Sequence, residues 1–118
     1  MTAERLDRFT GAWVGCDLDE LGDYLTEDVV YSPLSGEVVR GREAVLRRFA
    51  QMLANDGQSE LRFEPATLSG SLGVCRWVLE GRTAGGASFT VEGIDVYEFD
   101  GDRIRSKDAY QKGETIRG

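Results

Sequence analysis

The alternation of side chains in residues 89–99 constrains the fold more than any other feature of the chain. The apolar members of the pattern are Phe89, Val91, Tyr97 and Phe99. Because successive side chains of a β-strand point to opposite faces of a sheet, the pattern predicts a strand with one apolar face. Asp95 falls on that same face. A carboxylate there is costly unless it is paired, hydrogen-bonded or protonated, so Asp95 is the first candidate for a functional group.

Three other segments in the second half have the same strand character, because they are rich in β-branched and aromatic residues. They are residues 61–69, 72–83 and 103–111. Short glycine-containing turn sequences separate the strands, at Ser69-Gly70-Ser71, Ala84-Gly85-Gly86 and Asp100-Gly101-Asp102. This order predicts an antiparallel meander.

The first half is predicted to be helical. Residues 3–14 carry Leu6, Phe9 and Trp13 at helical spacing. Asp17, with Glu20 three residues on, predicts the capped start of a second helix. The apolar stripe of this second helix is Leu18, Leu21 and Leu25.

Residues 26–28 are expected to break the second helix, and residues 29–31 to form a short strand that ends at Ser32-Pro33. A third helix is predicted over residues 42–54, where Asn55-Asp56-Gly57 stops it. Its apolar face consists of Val45, Leu46, Phe49, Met52 and Leu53. Helices followed by a meander predict an α+β fold with the helices on one face of the sheet.

Composition limits the classes of function. The 118 residues carry a net charge of −7 without a basic run, which argues against binding to nucleic acid or to anionic membranes. The length suits a single domain over residues 1–118. No segment has the apolar length of a membrane span and the N-terminus has no signal-peptide core, so we expect a cytoplasmic protein.

The chain contains no histidine and two cysteines, Cys16 and Cys75. We expect both thiols to be free and buried. The absence of histidine excludes His-based triads and His-ligated zinc, and two cysteines are too few for a thiolate cage. The sequence therefore predicts neither a metal site nor a cofactor, and any acid or base must be Asp, Glu, Tyr, Lys or Cys.

Three stretches resemble the SnoaL-like and ketosteroid-isomerase-like members of the nuclear transport factor 2-like superfamily. They are Asp17–Val29, which is similar to the second helix and its acidic exit, Val39–Val45 at the start of the third helix, and Gly93–Ile104 at the last hairpin. The resemblance implies a cone-shaped, curved antiparallel or mixed sheet that wraps around three N-terminal helices and encloses a cavity. It also implies a homodimer formed through the outer face of the sheet.

A cavity in this fold would bind a small hydrophobic molecule. The residues that we expect to contact it are Phe9, Trp13, Phe49, Trp77, Val91 and Tyr97. Because the superfamily includes isomerases, cyclases, dehydratases, epoxide hydrolases and non-catalytic domains, the resemblance specifies the fold better than the activity.

Comparison with ketosteroid isomerase matches one of three functional positions. Asp95 matches the acid on the penultimate strand, whereas the position of the base falls on Ser32 or Pro33 and that of the tyrosine on Phe9. Neither serine nor proline is a useful base, so we exclude steroid isomerisation by this mechanism.

Comparison with limonene epoxide hydrolase matches Tyr31, but the last-strand acid falls on Ala109, next to Asp108. A one-residue bulge would turn Asp108 inward, and its alternation with Ile104, Ser106 and Tyr110 also allows this. Both facings of the strand stay open. The candidate catalytic residues are therefore Asp95, Tyr31 and Asp108.

The sequence thus predicts a protein that binds an apolar, ring-containing metabolite, with or without cofactor-free acid–base catalysis. The alternative is a non-catalytic ligand-binding or dimerisation module.

Overall fold

A computed structural model describes residues 1–54 and 59–117, in which three helices lie against one curved sheet. The helices are α1 Ala3–Val14, α2 Leu18–Asp23 and α3 Arg42–Leu53. The strands are β1 Leu25–Ser32, β2 Val39–Arg40, β3 Ser59–Phe63, β4 Thr67–Ser69, β5 Leu72–Arg82, β6 Ser88–Asp100 and β7 Arg103–Arg117.

The sheet of the described residues has the order β2-β1-β7-β6-β5-β3, with β4 paired to β5. Pairing is antiparallel except between β1 and β7, which run parallel. The sheet is therefore mixed, and the α+β prediction is confirmed. The parallel pair brings the β-strand of the helical half to the edge of the C-terminal meander.

The side chains at the helix starts explain the boundaries of α1 and α2. The Thr2 hydroxyl accepts a hydrogen bond from the Arg5 amide, and an Asp17 carboxylate oxygen accepts one from the Glu20 amide, each at 3.1 Å. The predicted cap at Asp17 is confirmed. The Glu20 carboxylate itself accepts a hydrogen bond from the Tyr24 hydroxyl.

Some predicted boundaries were wrong. Leu25 does not belong to the second helix but begins β1, where it pairs with Ile104, so residues 26–28 continue a strand that was expected to begin at Val29. Pairing with β7 supplies backbone partners that local sequence cannot reveal. Residues 61–69 form two strands instead of one, and β2 was not predicted. The predicted stop of α3 at residues 55–57 lies outside the described residues.

A bulge in β7 decides which of its side chains face inward. Glu98 pairs with Ser106 and Phe99 with Ile104, so Arg105 is the extra residue. Asp95 pairs with Ala109 and Tyr97 with Lys107. Because paired residues share a face, Lys107 and Ala109 face inward with Asp95 and Tyr97, while Asp108 pairs with Val96 on the outer face.

Near the β6–β7 turn the sheet packs against the first half of α1, and we call this region the packed end. Its side chains are buried: Leu6, Phe9, Tyr24, Tyr97, Phe99 and Ile104. The Phe9 ring meets the edges of Tyr24 and Tyr97 at centroid distances of 5.7 and 5.9 Å. The backbone of the turn also holds α1, since the Arg5 side chain donates to the Asp102 carbonyl at 2.6 Å.

The two cysteines differ in environment. Both are free thiols, as predicted, and Cys75 is fully buried. Cys16, however, is exposed, which corrects the expectation that both are buried. It follows the end of α1 with a φ of 57°, in the turn that leads to α2.

None of the helices in residues 1–54 and 59–117 has the length and apolar character that a membrane crossing requires.

Candidate functional site

A pocket of about 480 Å³ opens in the sheet where α1 ends, and we call this region the open end. Mostly apolar side chains from both halves of the chain line it: Trp13, Val14, Cys16, Tyr31, Leu34, Met52, Leu53, Ser59, Glu60, Leu61, Phe63, Trp77, Leu79, Asp95, Lys107 and Ala109. Trp13 and Val14 at the end of α1 line one part of the pocket, Met52 and Leu53 of α3 another, and inner side chains of β3 and β5 complete the apolar wall.

Asp95 lies in the wall of this pocket and is 3% exposed. The Trp77 indole N–H donates to its Oδ1 at 3.2 Å, and the Tyr97 hydroxyl donates to its Oδ2 at 3.4 Å. These two donors stabilise a carboxylate that would otherwise be costly to bury. The hydrogen-bond partners on its own strand and on β5 therefore fix the position of both oxygens.

Lys107 provides the opposite charge. Its Nζ lies 3.5 Å from Asp95 Oδ2, and both side chains are almost fully buried. The same ammonium lies over three rings, 4.6 Å from the centroid of Tyr31, 5.0 Å from Trp13 and 5.7 Å from Phe49. Ring faces within about 6 Å attract a cation, so the rings and Asp95 together offset the loss of hydration at Nζ.

Sequence reasoning did not name Lys107 as a candidate residue. A signal for it was present: a buried Asp95 needs a partner, and Lys107 is two residues before Ala109, so it shares the inward face if Ala109 does.

Burial and the charge of Asp95 keep the neighbouring acids protonated. Burial, followed by the Asp95 carboxylate, raises the pKa of Tyr31 to about 12 and that of Cys75 to about 12. The same two causes raise the pKa of Tyr97 well above its usual 10.0. Near neutral pH the two hydroxyls are therefore hydrogen-bond donors and weak acids, and neither is a base.

Comparison with known proteins identifies the fold family of this site. Residues 6–107 match the SnoaL-like domain family. The chain belongs to this family. No curated protein matches the chain.

Solved structures agree with the family on the fold. An NTF2-like protein of unknown function from Mesorhizobium loti aligns with a TM-score of 0.78 at 23% identity, over 94% of this chain and 90% of that one. A second from Cytophaga hutchinsonii aligns with a TM-score of 0.80 at 16% identity, over 95% and 100%. The epoxide hydrolase/cyclase-like enzyme SalBIII, described in pyran ring formation in the polyether salinomycin, aligns with a TM-score of 0.78 at 14% identity, over 96% and 93%. At these identities the likeness concerns the fold alone.

In this SnoaL-like domain, the predicted ligand contacts lie in different places. Trp13 and Trp77 line the pocket. Phe9 and Tyr97 pack at the packed end, and Phe49 lies behind the pocket wall with its ring edge against Trp13 at 4.7 Å. Val91 is buried on β6 outside the pocket lining.

Of the predicted catalytic residues, two line the pocket and one faces away from it. Asp95 and Tyr31 line the pocket, and the Tyr31 hydroxyl donates to the Met52 sulfur at 3.3 Å. Asp108 faces away from the pocket, because the Arg105 bulge leaves Lys107 and Ala109 on the inner face. The acid that could join Asp95 is therefore replaced by a lysine one position earlier.

Gly93 gives the Trp77 ring its place in the SnoaL-like domain. The two residues are directly opposite on β6 and β5. A Cβ at Gly93 would lie 2.1 Å from Trp77 Cζ2 and 2.4 Å from the Tyr110 carbonyl oxygen. The missing side chain lets the indole lie across the strand, from where its N–H reaches Asp95.

Within the described residues, no group of three or more His, Cys, Asp or Glu side chains is placed to hold a metal ion.

Proposed function

We propose that the protein binds a small, apolar, ring-containing metabolite in the pocket at the open end, with the Asp95–Lys107 pair as its polar contact. The observation that carries this proposal is a largely apolar pocket with one buried ion pair in its wall. Pockets for small molecules typically combine an apolar lining with a few fixed polar groups.

The size and lining of the pocket support an apolar ligand. Its volume of about 480 Å³ is in the range of about 300–1,000 Å³ usual for small-molecule sites. The two tryptophans of the chain and the leucines of β3 and β5 supply flat and branched apolar surface. Val14, Leu34 and Met52, which are each 42% exposed or more, extend that surface to the pocket entrance.

The polar pair limits where the ligand's oxygen can lie. A carboxylate has about four acceptor sites, and Trp77, Tyr97 and Lys107 occupy three of those of Asp95. One acceptor site on Oδ1 is left, so the pair offers a ligand few polar contacts. This arrangement favours a molecule with a single oxygen function at one end of an apolar skeleton.

A second candidate function is cofactor-free acid–base catalysis on the bound molecule, such as isomerisation, cyclisation, dehydration or epoxide opening. The observation that favours it is the juxtaposition of a carboxylate, an ammonium and a neutral phenol along one pocket. SalBIII, whose fold is similar, is described as epoxide hydrolase/cyclase-like. Binding is the first candidate because the protein's own donors already occupy most of Asp95.

The chain carries its own reporter for binding, since both tryptophans line the pocket. We would titrate the protein with bicyclic hydrocarbons, alcohols and ketones and follow tryptophan fluorescence and the unfolding temperature. Binding should change the fluorescence in a saturable way and raise the unfolding temperature.

A matched pair of variants on β7 locates the response. Ala109→Phe should fill the pocket and abolish the fluorescence change, whereas Asp108→Ala, one residue along on the outer face, should bind like the wild type. If no apolar ring compound gives a saturable change at millimolar concentration, or if both variants respond like the wild type, the proposal is wrong.

Catalysis has its own test. Ligands that bind would be incubated with the protein and their products analysed by mass spectrometry. Turnover that is lost in Asp95→Asn, with binding retained, would favour the second candidate. Binding without any product would leave the non-catalytic function.

A further inference from the structure

We infer that Lys107 donates a hydrogen bond to the ligand and that the pocket selects a neutral molecule with a carbonyl oxygen, such as a cyclic ketone or lactone. This inference rests on the proposed function and adds the chemical class of the ligand. Two observations support it: the contacts around Lys107 Nζ and the charge balance of the pocket.

The ammonium of Lys107 has more N–H groups than its contact with Asp95 uses. Its contact with Asp95 is an ion pair at 3.5 Å, and the ammonium also lies over the rings of Trp13, Tyr31 and Phe49. A ring face attracts the charge but provides no lone pair for a conventional hydrogen bond. Since an ammonium has three N–H groups, a ligand oxygen in the pocket can accept at least one of them.

The position of Nζ is also fixed before a ligand arrives. The three rings and the carboxylate surround the ammonium on several sides, and the Lys107 side chain is only 6% exposed. A donor held in this way loses little conformational freedom on binding, so its hydrogen bond contributes more to affinity than that of a surface lysine.

The charge balance of the pocket argues against an anionic ligand. Lys107 and Asp95 neutralise each other, and the pocket lining also includes Glu60. Arg48, whose charge acts on Tyr31, is absent from the lining of the pocket and donates to the Ser35 carbonyl at 3.5 Å. With a net charge of −7 on the whole chain, an anion meets no surplus of positive charge, whereas a neutral carbonyl needs none.

Ligands on one carbon skeleton separate this inference from the proposed function. We would compare decalin, 2-decalone, 2-decalol and decalin-2-carboxylate by tryptophan fluorescence and calorimetry. The ketone should bind roughly ten-fold or more tightly than the hydrocarbon, because a hydrogen bond to a charged donor is among the stronger ones. The carboxylate should bind no more tightly than the ketone.

Two variants remove the donor in different ways. Lys107→Met keeps the length of the side chain but leaves Asp95 without its counter-charge, which could prevent folding. The double variant Asp95→Asn with Lys107→Met removes both charges and keeps the shape. In whichever of the two folds, decalin should bind as in the wild type and the preference for the ketone should disappear. Lys112→Met, which removes an exposed cation from the same strand, is the matched control and should keep the preference.

An infrared spectrum of 13C-labelled 2-decalone gives a direct readout of the contact. The carbonyl stretch should move to lower frequency in the wild-type complex than in the double variant, because a hydrogen bond from an ammonium weakens the C=O bond.

The possible binding results distinguish the proposed function from the inference about Lys107. Failure of decalin and of every derivative to bind contradicts the proposed function itself. Binding of decalin with no preference for the ketone, or a preference that persists in the double variant, overturns the inference about Lys107 alone. A carboxylate that binds at least ten-fold more tightly than the ketone overturns the assignment of a neutral ligand.

Discussion

The packed end and the open end are built on the same two strands, β6 and β7, yet they treat their inward side chains differently. At the packed end, Tyr97, Phe99 and Ile104 pack against Leu6 and Phe9 and are almost fully buried. At the open end, the next inward positions carry Asp95, Lys107 and Ala109, which line a pocket. The bulge at Arg105 lies between the two ends on β7 and sets the inward facing of Lys107 and Ala109, and α1 ends beside the pocket.

The length of α1 decides where one end gives way to the other. The helix covers the sheet from the β6–β7 turn, where Arg5 binds the Asp102 carbonyl, to Trp13. It ends at Val14, and the chain turns away through Gly15 and Cys16. The inner face of the sheet is thus close-packed beside the first turns of α1 and lines a pocket where α1 ends.

Matched leucine truncations should show the largest difference between the two ends. Leu6 is fully buried at the packed end, whereas Leu61 is half-buried in the pocket wall. We expect Leu6→Ala to lower the free energy of unfolding by about 2–5 kcal/mol, because it leaves a cavity in close-packed surroundings. Leu61→Ala, which only enlarges an existing pocket, should cost about 1 kcal/mol. Denaturant unfolding measures both, and equal losses would mean that the open end is not open in solution.

Glycine-to-alanine changes compare how tightly the two ends are packed, because each adds one methyl group. At Gly93 the new Cβ meets the Tyr110 carbonyl oxygen at 2.4 Å as well as the Trp77 ring, and a backbone atom cannot move aside cheaply. At Gly73 it meets only the ends of the Phe99 and Leu6 side chains, at 2.7 and 3.1 Å. We expect Gly93→Ala to cost about 1–3 kcal/mol and Gly73→Ala less.

The same glycine variants differ in fluorescence. Gly93→Ala should shift tryptophan emission, because Trp77 must leave its position beside Asp95, while Gly73→Ala should leave the emission unchanged. A larger loss of stability or a larger shift in Gly73→Ala would contradict the account of Trp77.

The loss of stability at alkaline pH tests whether Tyr31, in the lining of the pocket, is buried. Its pKa is raised from 10.0 to about 12 in the folded protein by burial and by the Asp95 charge. The unfolded chain therefore loses this proton first, and the stabilisation is complete below pH 10 and is lost as the pH rises from 10 to about 12. Over that range, Tyr31→Phe should lose less stability than the wild type. Parallel curves from urea unfolding at pH 9, 10 and 11 would show that Tyr31 is solvated.

Chemical labelling of the two thiols perturbs the protein less than a substitution in its core. Cys16 is exposed at the open end, and Cys75 is buried with its pKa raised to about 12. A disulfide reagent at pH 8 should label one thiol rapidly in the folded protein and the second only after unfolding. In Cys16→Ser the rapid phase should vanish. Its survival there would place Cys75 within reach of solvent.

Much of the fold could be predicted because its signals are local. The helical spacing of Leu6, Phe9 and Trp13 predicts α1 to within a residue, and the alternation around Asp95 predicts β6. The Asp17 cap was also readable, because capping depends on side chains within three residues. The start of β1 at Leu25 could not be predicted from local sequence, since its partner Ile104 is far away in sequence.

The candidate site was harder to predict because it depends on register. Asp95 was singled out from its place on an apolar strand face, whereas Trp13 and Trp77 were named through the resemblance to the cavity-forming fold, and all three line the pocket. Lys107 was not named and the facing of Asp108 stayed open, because one extra residue at Arg105 sets the facing of the residues after it. A bulge has no reliable local signature in this sequence, so a pattern of alternation cannot be carried across it.

The α+β order of elements, the acid on an apolar face at Asp95 and the lack of any histidine can all be read from the amino-acid sequence. Periodicity and composition are properties of neighbouring residues, so no partner strand is needed to see them. The folded structure was needed to show that Lys107 is the partner of Asp95, that three aromatic rings lie around its ammonium and that Asp108 faces away. These facts depend on the pairing of β6 with β7 and on where α1 stops covering the sheet, and both are set by contacts between residues far apart in the chain.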